Sequence, residues 1–138
     1  MADEDLYNEM AYYTLAHASP SFLHQHVVDA FTAQHADETT KPIAIVFALI
    51  GLYLFLEKDF SGRQVQKAHM QLAKRRKDWP RLQIPREDAS VSIADALAAE
   101  PGEARDNKIR DWCVSVWHAW RESRTQIVDL VKKELDID

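Results

Sequence analysis

Four imidazole and carboxylate side chains on one short stretch are the first residues in this chain that could do chemistry. Between Pro20 and His35 the sequence places His24, His26, Asp29 and His35, with Gln34 beside the last. Neutral imidazole and carboxylate together suit zinc, iron or manganese, and they also serve proton transfer. Two residues of the same types follow: Glu57, the first charge after a long apolar run, and His69, inside the apolar stripe of a later helix. The expected site has His24, His26, Asp29 and His69 as metal ligands, with Glu57 and Asp29 as acid–base carboxylates. These residue types do not choose among the three metals. His24 and His35 stand eleven residues apart on one helix, roughly 16 Å at 1.5 Å per residue, so they cannot share an ion. His69 also has a plainer use as a hydrogen-bonded core residue, because buried polar groups must be paired whether or not they react.

Helices must position these groups, and one helix organises the others. Pro42 to Leu56, PIAIVFALIGLYLFL, carries no charged side chain. A helix apolar on every side has to be covered on nearly every side. Its fifteen residues fall short of the roughly 20 that span a hydrocarbon core, so it reads as a buried helix at about 42–58 rather than a membrane span. Gly51 interrupts it at a cost of about 1 kcal/mol relative to alanine, which marks a close approach by a neighbour.

Around this core the pattern predicts a helix from Asp3 to His17, with acids in its first turn, and a second from Pro20 to about His35. Leu23, Val27, Ala30 and Phe31 form the core face of the second. Thr39 or Thr40 is expected to cap the central helix. Ser61 to Gln64 matches a capping box, with Phe60 and Val65 as its hydrophobic staple, and opens a helix ending in Lys74 to Lys77. Pro80 and Pro85 keep 78–89 irregular, while Trp79, Leu82 and Ile84 pin that loop across the bundle. A short helix follows at 92–99, with Asp95 completing a second capping box, and then a long one from about Ala104 to Leu135. The expected fold is all-α, a compact bundle of five or six helices in a single domain over 1–138. After about residue 121 the last helix is expected to outrun the bundle, leaving an apolar patch from Ile127 to Leu135. Antiparallel pairing across short turns sets His24 near Leu52, Asp29 near Phe47 and His69 near Gly51, with Glu57 one turn beyond His24.

Composition narrows the function classes. The 138 residues carry a net charge of -5, which argues against a surface built wholly to grip nucleic acid. Lys74 to Lys77 are explained more simply as cations at a helix C-terminus. One cysteine, Cys113, builds neither a disulfide framework nor a Cys-rich zinc knuckle, and its place in an apolar stripe reads as an inert thiol. The N-terminus, MADEDLYNEM, has no basic or apolar signal region, so a reducing cytoplasm is expected. No Gly-rich phosphate loop, nucleophile elbow or HExxH occurs.

The pattern His24-x4-Asp29-Ala30-Phe31-x2-Gln34-His35, then Leu52-x4-Glu57, the SGRQVQKAHM segment, Trp79-Pro80 and SVWHAW, resembles a bacterial all-helical family of unknown function. The resemblance runs from about residue 8 to about residue 121. Longer relatives carry an N-terminal Cys-Pro-Gly-Cys-Gly element that this sequence lacks, so a zinc role of that element does not carry over. The resemblance implies that His24, Asp29, Gln34, His35 and Glu57 belong to the family's pattern, and it implies no activity. Two functions stand side by side. The leading expectation is a cytoplasmic helical module that self-associates or binds a protein partner through the C-terminal helix, with no membrane and no nucleic acid. The alternative is a metal-dependent or acid–base enzyme with its His/Asp/Glu site inside the bundle.

Overall fold

In the computed structural model, which describes residues 3–16, 23–75 and 78–137, the charge-free run is the hub. The elements are α1 (Asp3–Ala16), α2 (Leu23–Gln34), α3 (Pro42–Lys58), α4 (Gly62–Arg75), α5 (Ile93–Ala98) and α6 (Glu103–Ala119). A single 3₁₀ turn (Arg121–Ser123) then leads into α7 (Arg124–Leu135). There is no strand among the described residues. Every residue of α3 from Ala48 to Phe55 is buried, and α2, α4, α6 and α7 all pack on it. The fold class is therefore as expected. No helix is long and apolar enough to cross a membrane among the described residues.

Local signals explain most boundaries. Pro42 opens α3 at its first turn, and Asp59 closes it in the left-handed region at φ 58°. Thr39 and Thr40 do not cap α3, contrary to expectation. They fold onto Asp37 instead: its carboxylate accepts from the Thr39 amide at 2.8 Å, and its own amide donates to Thr40 Oγ1 at 3.0 Å. Both capping boxes form. The Ser61 amide donates to Gln64 Oε1 at 2.8 Å, and the Gln64 amide to Ser61 Oγ at 3.3 Å; Ser92 and Asp95 repeat the exchange at the start of α5. The proline loop packs as its apolar anchors suggest, with Leu82 buried and the Trp79 ring edge-on to Phe47 at 5.0 Å. The expected start of α2 at Pro20, and Arg76 and Lys77, lie outside the described residues.

The end of the chain departs from expectation. The long last helix is two helices, which makes seven α-helices in all among the described residues. The chain turns at Trp120, whose backbone (φ -94°, ψ 15°) leaves the helical region and passes into the 3₁₀ turn. That corner folds α7 back onto α3 and α4, where Ile127, Leu130 and Val131 are buried. The apolar residues Ile127, Leu130 and Val131, expected to extend past the bundle, thus lie within its core.

Candidate functional site

The Asp29 carboxyl of α2 meets the backbone of α3 at Gly51. A Cβ on that glycine would overlap the Asp29 carboxyl, falling 2.7 Å from Cγ, and would stand 3.2 Å from Val65 Cγ1. The missing side chain is what admits a carboxyl to the central helix. Asp29 is 3% exposed, and only one of its oxygens is served: Gln25 Nε2, one turn earlier on α2, donates to Oδ1 at 3.1 Å. Oδ2 has no hydrogen-bond partner. Burial holds the acid well above the usual carboxylate range, against the Gln25 bond, which favours the ion.

His26, three residues earlier on α2, is fully buried, and neither ring nitrogen has a partner. Its ring stacks on Phe55 at 3.6 Å, and the Arg110 guanidinium lies over the same Phe55 at 5.1 Å. Burial, followed by the Arg110 charge, lowers the imidazole to about 4. The Cys113 thiol points to the His26 carbonyl at 3.8 Å, and burial pushes its pKa strongly up. That leaves a hydrophobic, protonated thiol. Burial and then Asp29 raise the Tyr7 phenol as well. Beyond Phe55 a groove of about 340 Å³ opens, with Asp59, Ser61, Asp106 and Arg110 among its walls.

The remaining candidates stand apart from this centre, each joining two elements. The Thr14 hydroxyl donates to the Ala11 carbonyl, so it accepts from His24 Nδ1 at 3.1 Å and links α1 to α2. His69 Nε2 donates to the Phe47 carbonyl at 2.8 Å, one turn before Gly51. Relative to the expected register, Asp29 and His69 have exchanged positions along α3. Gln34 accepts from Trp112 Nε1 at 2.7 Å and donates to the Val91 carbonyl at 3.1 Å, fastening α6 and the proline loop to α2. His35 Nε2 meets the Asp3 carboxylate at 2.8 Å, and its ring stacks on Phe31 at 4.1 Å. Glu57 accepts from Trp117 Nε1 at 2.7 Å and binds Arg124 through both oxygens, which pins the corner before α7. The Arg124 bonds first, and then the Trp117 bond, lower its carboxyl, so Glu57 stays a carboxylate.

Of the four expected metal ligands, the structure buries His26 against Phe55 and Asp29 against Gly51, about a turn apart on α2, and leaves His24 and His69 with partners elsewhere. No three His, Cys, Asp or Glu side chains are placed to hold a metal ion among the described residues. Gln25, Phe55 and Arg110 were not foreseen as neighbours of the centre. Gln25 had a legible signal, since residues four apart on a helix share a face; Phe55 and Arg110 reach the site only through tertiary packing.

Fold and centre together define an all-helical bundle with two buried polar side chains against its hub. The chain belongs to the Family of unknown function (DUF5946), whose match covers residues 4–121. No curated protein and no solved structure matches it.

Proposed function

We propose that this protein is a non-catalytic helical module that works by associating with another protein, in the first instance a second copy of itself. The observation that carries this is the outer face of α1, where Tyr12 is 78% and Leu15 61% exposed. Two large apolar side chains on one face of one helix keep their contact with water unless another molecule covers them. The commitment of His24, Gln34, His35, Glu57 and His69 to joints between elements fits the same reading. Light scattering over a concentration series tests it. The wild type should gain mass with concentration, and a Tyr12→Ser/Leu15→Ser variant should need at least tenfold more protein to reach the same mass. A wild type that stays monomeric throughout counts against the module.

A second reading is supported by one specific observation, the three buried and unpartnered atoms of His26 and Asp29. Such atoms are rare in folded proteins. A neutral imidazole and a protonated carboxyl three residues apart on α2 are also usable acid–base types, and the groove over Phe55 would be the approach. A metal would need ligands beyond these two. Elemental analysis of untagged protein, with thermal shift in added zinc, iron or manganese, separates the readings. Stoichiometric metal, or a shift lost in Asp29→Asn, favours the enzyme; neither would leave it without support.

A further inference from the structure

The self-association reading above can be taken further, to the two faces that would meet. The acidic and basic residues of this chain are unevenly divided between two helices. Asp3, Glu4, Asp5 and Glu9 make α1 acidic with no cation, whereas α4 carries Arg63, Lys67, Lys74 and Arg75 and no acid. On the outward side of α1, Glu4, Asp5, Asn8, Tyr12 and Leu15 are all exposed and share one face at helical spacing. On the outward side of α4, Arg63, Lys67, Met70 and Lys74 are exposed at i, i+4, i+7 and i+11, with Met70 61% in solvent.

The two stripes match in length as well as in charge. Glu4 to Leu15 and Arg63 to Lys74 each advance eleven residues, about 16 Å of helix. Laid side by side in parallel with Glu4 level with Arg63, Asn8 falls level with Lys67, Tyr12 comes within one residue of Met70, and Leu15 falls level with the stem of Lys74. A thioether beside an aromatic ring is a favourable contact. Within one molecule the outward stripes are kept from each other: α1 packs inward on α2 and α5, and α4 packs inward on α2, α3 and α7.

We infer that the acidic, apolar face of α1 in one molecule docks on the basic face of α4 in a second copy. The contact pairs α1 of one copy with α4 of another, so it either forms twice, reciprocally, in a two-fold dimer or repeats head-to-tail as a ring or open chain. One helix face on another is a small interface, at the weak end of the size range, below about 1,200 Å². Assembly should therefore rise with concentration and fall with salt, as contacts between exposed charges do.

Two charge-reversal variants of the full chain test the assignment: Lys67→Glu/Lys74→Glu on α4, and Glu4→Lys/Asp5→Lys on α1. By sedimentation velocity at low salt, neither variant should associate with itself. Their equimolar mixture should, because the untouched α1 of the first meets the untouched α4 of the second. Circular dichroism and melting curves like the wild type's would show that both are folded. Variants that assemble as the wild type does would overturn the two faces while leaving self-association standing. A monomeric wild type would overturn both. A monomeric wild type that instead binds duplex DNA, and loses it on Lys67→Glu/Lys74→Glu, would give the α4 face to nucleic acid.

Discussion

The centre at Gly51 and the outward faces of α1 and α4 are mismatches of opposite kind. Inside, polar atoms of His26 and Asp29 are buried with no protein group to bond to. Outside, Tyr12, Leu15 and Met70 stand in water without cover. The chain can lessen the first mismatch alone, by holding the imidazole deprotonated and the carboxyl protonated, so that no net charge is buried although the atoms stay unbonded. It has no such remedy for the second, since an apolar side chain has no proton to trade. Only another surface removes it from water.

The largest expected effect breaks the interior half of this comparison. His26 is lowered from 6.5 to about 4 in the fold, so below pH 6.5 the unfolded chain takes up a proton that the folded chain refuses. Stability contributed by His26 is present above that pH and is lost as pH falls toward 4, by about 3 kcal/mol over the window. Urea unfolding of wild type and His26→Gln across this range should differ by that slope; parallel curves would mean that the ring is solvated. Asp29 runs the other way. Its raised pKa means that the folded state keeps a proton the unfolded state has released, so its contribution shrinks as pH climbs above the ordinary carboxylate range. Asp29→Asn should flatten that decline.

Gly51→Ala comes next. Alanine would gain about 1 kcal/mol of helix propensity but forces the Asp29 carboxyl aside, an overpacking cost of about 3 kcal/mol. The net is a loss of about 2 kcal/mol. Asp29→Ala should recover more than half of it when the two are combined, a coupling that chemical denaturation of the four proteins measures. A Gly51→Ala variant more stable than wild type would mean that the carboxyl does not sit on the central helix.

Glu57→Ala supplies the contrast of a polar group at the rim that is fully paired. Its side chain is 29% exposed, so the loss should be about 1 kcal/mol, chiefly from the orphaned Trp117 indole. Smallest of all, Tyr12→Ser/Leu15→Ser should change stability by no more than about 0.5 kcal/mol in dilute protein while weakening association. A large fall in melting temperature there would show that the α1 face is folded against its own chain.

How far these features could be read from residues alone depends on what each one rests on. The central helix was plain because fifteen uncharged residues have one physical solution, and the Ser61 and Ser92 caps were plain because hydroxyl and acceptor stand three residues apart. The corner at Trp120 was not. It contains neither glycine nor proline, and Trp120 and Ile127, seven residues apart, keep the spacing of an unbroken helix. Gly51 pointed to a close neighbour, yet turn lengths could not say which one. The short Asp29 side chain needs the bare backbone of a glycine, whereas the longer imidazole of His69 reaches the Phe47 carbonyl one turn away. The exposed faces of α1 and α4 were hidden for a further reason: helical spacing sets Tyr12 and Met70 beside the buried stripes of their helices, but does not say whether another element covers them.

The most direct measurement is light scattering of the wild-type chain over a wide concentration range at low and at high salt. Mass that climbs with concentration at low salt and falls back toward one chain at high salt is the predicted result. A single-chain mass at every concentration in both buffers would contradict the account.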